Sequence, residues 1–541
     1  MDPTFWFCYA VMAALVLAAV WMAARHPQHW RASLLLAIAV LILHAGLYWP
    51  FTVDDSFITY RVARNWAAGL GPVYQAGERV EGTTGLLWPA LLALAIRLGL
   101  PVDATAKALG LVGSALALVA VTRLARRLLG DARAALAAPF TLALHPLWAA
   151  WSCAGMETPL FAAGLAWAAW ALVAGKRLFR TVPLDGVLFG ILSWVRPEGL
   201  LFGALAFAWT TLSEPREGGA ARRRALAWGL SFAALAAPVA IASFSYYGAL
   251  LPNTYVAKMV PAAVRLPAGF KALGDFLTYS GLALVALLIV AVPRLRTAPA
   301  PAGFIALAVA GLAADVVWVG GDVLHLRFFV HVLPLLAVLV ALGIDQLASG
   351  FAIARAPSGV AATGVLAAAL ALAWVLASAQ QDRRALEARD QFGAAYAVRN
   401  PRNVEEVAAP LGLWLHDHAP PGARLATWDI GAIGYFSGLH VIDLYGLTDR
   451  RLARMNHDGT PPSERMAYFE SLDPELLVTY LAADGPVLAW MSSGRDWLKG
   501  RYRPHSIWRA TSSGYALTLL VREDVHLAAP PPQAALAAVI H

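Results

Sequence analysis

Residues 32–61 read ASLLLAIAVLILHAGLYWPFTVDDSFITYR. From Leu34 to Thr52 the run carries no formal charge, and it opens onto two adjacent carboxylates, Asp54 and Asp55. At ~1.5 Å of rise per residue such a run matches a hydrocarbon core of ~30 Å. The stretch therefore reads as a membrane-spanning helix that delivers a carboxylate pair to the membrane surface. Ionisable groups at that boundary are costly if buried, and such residues are usually functional.

Working outward, the same signature recurs. Further apolar runs fall at 5–24, 105–122, 134–151, 159–175, 184–195, 199–212, 225–243, 273–292, 302–319, 328–346 and 359–379, which makes about twelve segments. The first lacks a basic leader and a small-residue cleavage site, so it is expected to be retained. The composition agrees, with 59% hydrophobic and 14% charged residues against about 45–50% and 25% in soluble domains. The net charge of +8 gathers in short clusters between apolar runs. That distribution suits cytoplasmic loops of a membrane protein and excludes a nucleic-acid-binding face. Two cysteines, Cys8 and Cys153, build neither a disulfide framework nor a metal site.

Five basic clusters orient the spans: Arg25 and Arg31; Arg123, Arg126, Arg127 and Arg133; Lys176, Arg177 and Arg180; Arg222–Arg224; Arg294 and Arg296. With these inside, loops 53–84, 152–158, 196–198, 244–272 and 320–327 face outward, together with everything after Ala379. Residues 85–100 are apolar but short, and are expected to be re-entrant or interfacial. Arg196-Pro197-Glu198-Gly199 interrupts 184–212, which predicts two half-crossings. The expected fold class is a polytopic α-helical membrane protein, residues 1–379, followed by a C-terminal extracytoplasmic α/β domain, residues 380–541. In that domain 424–429 and 440–446 read as strands, and 403–418 and 462–471 as helices.

The outward loops collect the polar residues. Asp54 and Asp55 are followed by Arg61, Arg64, Asn65, Glu78 and Glu81. Helical character near Tyr60–Trp66 predicts that Asp54, Arg61 and Arg64 converge within two turns. Glu157 stands at a span junction, either a ligand contact or a helix cap. Arg196 and Glu198 lie in the broken helix, either at a ligand or as a mutual ion pair. Asn253 and Lys258 follow Tyr246–Tyr247, and Asp322, His325 and Arg327 lie in VGGDVLHLRFF. Asp322 with His325 could ligate a metal, but no ligand spacing supports it, so no metal or cofactor is assigned and a divalent-ion requirement is left open. Carboxylates suit general-base activation of a hydroxyl, and cations suit a phosphate. Walker A and GxGxxG motifs are absent from the sequence. A hydroxyl acceptor meeting a lipid-phosphate donor at a membrane surface describes glycosyl transfer from a polyprenyl-phosphate sugar.

Longer motifs point the same way: Asp54-Asp55-Ser56-Phe57-Ile58-Thr59-Tyr60-Arg61, Gly69-x-Gly71-x-Val73-Tyr74, Gly77-Glu78-x-Val80-Glu81-Gly82-x-Thr84, Gly155-Met156-Glu157-Thr158-Pro159-Leu160, Arg196-Pro197-Glu198-Gly199, Pro252-Asn253-Thr254, Gly320-Gly321-Asp322 and Asp429-Ile430-Gly431-x-Ile433-Gly434-Tyr435. This series resembles the mycobacterial terminal arabinofuranosyltransferases of the GT-C superfamily. The resemblance implies an inverting transferase in the bacterial inner membrane, with its site and C-terminal domain on the periplasmic side. It implies a decaprenyl-phospho-arabinofuranose-like donor and Asp54 or Asp55 as the catalytic aspartate. Lys258, Arg327, Arg196 and His325 are then expected at the donor phosphate. Arg61, Arg64, Asn65, Glu78, Glu81, Glu157, Glu198, Asn253 and Asp322 are expected at sugar or acceptor. The acceptor itself stays open between a surface glycan, a lipid-linked glycan and a protein. A transporter or flippase of a lipid-linked glycan is the alternative function, and a non-catalytic sugar-binding scaffold a third.

Overall fold

A computed structural model describes residues 3–129, 132–212, 219–297, 303–322, 326–350, 359–387, 393–482, 485–487 and 495–530. The chain divides into two compact units. The first comprises Met1–Pro50, Ala106–Ala240 and Leu266–Val398; the second comprises Phe51–Thr105, Ile241–Arg265 and Arg399–His541. The boundary expected at 379/380 thus falls inside the first unit, and loop 53–84 belongs with the C-terminal region.

The first unit is helical. Among the described residues of the whole chain, four helices are long and apolar enough to cross a membrane: Pro3–Arg25, Pro27–Gly46, Val102–Leu128 and Arg222–Tyr247. Two bent pairs would make six. One is Arg133–Ala143 with Pro146–Ser152, bent by 59°. His145 is extended there (φ −80°, ψ 116°) because Pro146 follows it. The other pair breaks at Gly281, whose φ of 79° leaves the helical region. Most of the remaining expected segments are apolar helices of 10–17 residues. The interruption predicted in 184–212 is present. Arg196 is extended (φ −154°, ψ 150°) ahead of Pro197, between helices Leu184–Val195 and Glu198–Leu212.

Small residues let these helices approach closely. A Cβ on Gly110 would strike the Ser152 carbonyl oxygen, and beside it Ser114 and Ser152 share a hydroxyl hydrogen bond of 2.6 Å. A buried polar cluster joins the first helix to the unit. The Asp382 carboxylate accepts from Tyr9, from Tyr48 at 2.6 Å, and meets His44 Nε2 at 2.6 Å. His44 Nδ1 lies 2.8 Å from the Ala143 carbonyl oxygen, which can only accept, so Nδ1 carries a proton. Three side chains thus converge on one buried carboxylate and leave neither of its oxygens without a partner.

The second unit holds a mixed sheet in the order β4-β3-β5-β8-β7, with β6 added to β5. The strands are β3 (Arg424–Thr427), β4 (His440–Asp443), β5 (Leu476–Ala482), β6 (Gly485–Val487), β7 (Tyr502–Arg509) and β8 (Ala516–Arg522). A separate hairpin in the first unit pairs β1 (Arg177–Leu178) with β2 (Val182–Pro183). β3 runs parallel to β4 and β5, with Arg424 opposite His440 and Leu425 opposite Leu476. β8 runs antiparallel to both β5 and β7. β5 (LLVTYLA) and β8 (ALTLLVR) read as near-continuous apolar runs because they lie inside the sheet. Residues 85–100 contain helix Leu87–Arg97, 11 residues long, about 16 Å and too short to span.

Helix Asp54–Ala67 packs against this α/β region. Ile58, Val62 and Tyr74 share a buried cluster with Ile430 and Val441. Tyr74 donates to the Ile430 carbonyl at 2.6 Å, and the Gln75 side chain accepts from the Val441 amide at 3.3 Å.

Candidate active site

Helix Asp54–Ala67 begins at the carboxylate pair, after Val53 in extended conformation. A helix N-terminus favours negative charge, and successive residues there diverge by about 100°. Asp54 points to the turn between β3 and helix Ala432–Ser437. Its Oδ1 accepts from the Ala432 amide at 2.8 Å and its Oδ2 from the Gly431 amide at 3.2 Å. Gly431 is a glycine for a steric reason: a Cβ there would run into the Asp54 carbonyl and carboxylate. Two residues earlier in the same turn, Asp429 accepts from the Tyr480 hydroxyl at 2.6 Å and from the Tyr515 hydroxyl.

No cation among the described residues pairs with Asp54 or Asp429. Burial pushes the Asp54 carboxyl up to about 8, with Asp429 and then Asp55 adding to the rise against the two amides. Burial also raises Asp429; the two tyrosines oppose it and Asp55 adds to it. Asp54 therefore holds its proton near neutral pH, with acceptor capacity left beyond its two amide bonds. Glu81 is a further buried acid in this unit. Its Oε2 has no hydrogen-bond partner among the described residues, and burial pushes it up to about 7 against a bond from Ser243.

Three acids of the first unit, Glu157, Glu198 and Asp322, are arranged differently. Arg196 binds Glu157 through Nη1 and Glu198 through Nη2 at 2.7 Å. Arg327 grips Asp322 with two nitrogens, at 2.7 and 3.1 Å, and its third nitrogen lies 3.3 Å from the Met156 sulfur. His331 is fully buried, packs edge-on against Phe161 at 4.9 Å, and has no hydrogen-bond partner on either ring nitrogen among the described residues.

Comparison with known proteins places this architecture. A family model described as a domain of unknown function (DUF8728) matches residues 397–524. The chain is similar to the terminal beta-(1->2)-arabinofuranosyltransferase of Mycobacterium tuberculosis, 32% identical over 250 residues, covering 42% of this chain and 38% of that one. It is also similar to the enzyme of the same name from Corynebacterium glutamicum, 28% identical over 357 residues, covering 57% and 50%. The matched parts thus span half or less of those two relatives. The crystal structure of ArnT from Cupriavidus metallidurans bound to undecaprenyl phosphate superposes with a TM-score of 0.56 at 14% identity, covering 92% of this chain and 99% of that one.

The fold is GT-C. With its apolar helices, it makes the chain a multi-pass membrane protein.

Within the GT-C frame the residues singled out by sequence separate. Among the described residues neither Arg61 nor Arg64, expected to converge with Asp54, forms an ion pair with it. Arg61 donates to the carbonyls of Tyr74 (3.0 Å), Leu439 (2.7 Å) and Gly434 and to Gln75 Oε1 (2.8 Å), stacked over the Tyr74 ring. Arg64 donates to the Tyr435 carbonyl at 3.1 Å and covers its ring. Helical spacing did bring these side chains to one element, but backbone carbonyls of the C-terminal region outcompete Asp54 for them. Asn65 donates to the Val73 and Tyr74 carbonyls, both at 3.0 Å, and Asn253 to those of Gly446 (2.8 Å) and Leu447 (3.0 Å). Glu78 lies 3.5 Å from His440. Lys258 ends helix Asn253–Lys258, half-buried. Glu157 precedes helix Thr158–Ala174 but makes no capping bond, because Arg196 engages it. His325 lies outside the described residues, and among these no group of three or more His, Cys, Asp or Glu is arranged to hold a metal.

Sequence reading gave no role to Asp429, Tyr480, Tyr515 or His331. The usable signal was Asp429-Ile430-Gly431, an acid beside a glycine that a carboxylate approaches. Tyr480 and Tyr515 carry no such mark, since they come from β5 and the loop before β8.

Proposed function

We propose that the chain is an inverting glycosyltransferase that moves D-arabinofuranose from a polyprenyl-phosphate donor to a hydroxyl of a glycan acceptor on the periplasmic face of the inner membrane. The observation that carries this reading is Asp54, a buried carboxylate held by two amides and uncompensated by any cation among the described residues. Similarity to transferases of that name and to a protein solved with undecaprenyl phosphate supports the donor class.

In this mechanism Asp54 removes the acceptor hydroxyl proton as that oxygen attacks the anomeric carbon. The bond from that carbon to the phosphate oxygen breaks, the polyprenyl phosphate leaves from the opposite face with the electron pair, and configuration inverts. One base suffices. Asp54 must be ionised to act, so transfer rises with pH through the range around 8 set by its environment. Asp429 and its two tyrosines hold the neighbouring charge in place. Lys258, Arg327, Arg196 and His325 are the residues proposed to hold the donor phosphate. Arg61, Arg64, Asn65, Glu78, Glu81, Glu157, Glu198, Asn253 and Asp322 form or support the sugar and acceptor sites.

The test is transfer by purified protein in proteoliposomes, with synthetic polyprenyl-phospho-arabinofuranose and a panel of glycan acceptors, read by mass spectrometry. A new glycosidic bond of inverted configuration is expected. Movement of an intact lipid-linked glycan across the bilayer without a new bond would establish a transporter instead. For orientation, Cys8 and Cys153 are replaced by serine and a cysteine placed at exposed Ala76 or Lys499. Both sites should react with an impermeant thiol reagent in intact cells, and protection of both would invert the assignment.

A further inference from the structure

Two basic clusters far apart in sequence meet in the first unit. Arg177 and Thr181 from the β1–β2 hairpin, with Arg223, Arg224 and Ala227 from helix Gly219–Tyr247, line a cleft of about 380 Å³. Such a volume falls within the range of small-ligand sites. Among the described residues no acid forms an ion pair with Arg177 or Arg223. The nearby acid that feels Arg177, Asp185, is buried and engaged by the Trp228 indole at 2.6 Å. Guanidinium forks and a hydroxyl around one space suit a phosphate, which several such donors can bind in a planar, bidentate manner.

The hairpin adds an apolar component. Its turn places two consecutive side-chain-bearing residues, Phe179 (φ 47°) and Arg180 (φ 66°), in the left-handed region. Tight hairpins normally put Asn-Gly or Gly there, so this turn is strained, and strain kept at an exposed tip accompanies function. Phe179 is 90% exposed, and Leu226 and Leu230 on the helix that supplies Arg223 are each 61% exposed. Nearby, Lys176 lies over Trp170, and Arg123 over both Trp167 and Trp170. Tryptophans interleaved with cations mark the headgroup level of a bilayer.

We infer that this cleft seats the phosphate of an anionic membrane phospholipid, with Arg177, Arg223 and Arg224 on the headgroup and Phe179 set among the acyl chains. A soluble phosphate compound shares the anion chemistry but gives no reason for an exposed phenylalanine and leucines beside it. The inference does not depend on the proposed transferase activity.

The experiment is native mass spectrometry of the purified full chain titrated with phosphatidylglycerol or phosphatidylcholine. The double variant Arg177→Ser/Arg223→Ser is compared with Arg25→Ser/Arg296→Ser, which removes equal charge elsewhere. Retained phosphatidylglycerol should fall about tenfold or more in the first variant alone. Phe179→Ser should weaken it further, phosphatidylcholine should not be retained, and lipid-free melting temperatures should match. Equal losses in both double variants, or equal retention of the two lipids, would reduce the cleft to ordinary interfacial arginines. Displacement of the lipid by millimolar inorganic phosphate would assign the site to a soluble phosphate compound and overturn the lipid.

Discussion

In the first unit two clusters give each of their buried acids an arginine. Arg196 takes Glu157 and Glu198 and Arg327 takes Asp322, while Asp382 is enclosed by hydrogen bonds to Tyr9, Tyr48 and His44. In the second unit Asp54 and Asp429 stand together with only amides and tyrosines for company. Compensated charges hold a structure together at modest net gain, but removing one partner strands the other. Uncompensated carboxylates cost folding free energy whenever they ionise, and a protein retains that cost where a proton must move. The first arrangement therefore reads as a charge-balanced frame, from which Arg196 and Arg327 are proposed to reach the donor phosphate, and the second as the seat of proton transfer.

The sharpest break between them is in stability. Arg196→Ala leaves two buried carboxylates without a counter-charge and should cost about 3–5 kcal/mol, seen as a large fall in thermal midpoint in detergent. Arg196→Ala with both glutamates changed to Gln should recover much of it. A midpoint near wild type for Arg196→Ala alone would remove the framework reading of this cluster.

Next comes coupling within the acid group. Asp429 raises Asp54 by its charge. Asp429→Asn should therefore shift the rising limb of the pH–rate profile to lower pH, with a rate loss of about tenfold from disturbed positioning. An unmoved limb would show that the two acids do not interact.

A smaller effect concerns the folding cost of Asp54 itself. Its folded value near 8 lies above the ordinary carboxylate value of about 4. Between those values the folded chain holds a proton that the unfolded chain has released, so stability falls as pH rises. Asp54→Asn abolishes that slope, and its melting temperature should exceed that of wild type increasingly from acid pH toward pH 8. A constant difference across that range would count against the shift. The smallest effect is at the surface: Arg501 and Asp473 pair at 2.5 Å but are both solvent-accessible, so Arg501→Ala should leave the thermal midpoint nearly unchanged.

Much of this arrangement was legible in the chain. The uncharged run before Asp54, the break at Arg196-Pro197 and the strands around 424–429 and 440–446 follow from periodicity, proline and charge alone. The Arg196–Glu198 pair was one of two readings open from sequence, and it forms. What sequence could not supply is pairing across hundreds of residues. Arg61 and Arg64 sit at the right helical spacing to meet Asp54, yet they bind carbonyls near Gly434 and Tyr435. Asp382 closes on His44 over 338 residues, which no local pattern encodes. β5 and β8 were missed because strands buried inside a sheet lose the alternation that reveals an edge or a half-exposed face.

Whether Asp54 accepts the acceptor's proton is decided by measuring donor affinity and single-turnover transfer on the same preparation of Asp54→Asn. Asparagine keeps size and can be held in the same turn but cannot take up the proton. Wild-type donor affinity is expected, with transfer lowered by about 10²–10⁴. Transfer at the wild-type rate with donor fully bound would contradict it and move the base to Asp55, Glu81 or Asp322.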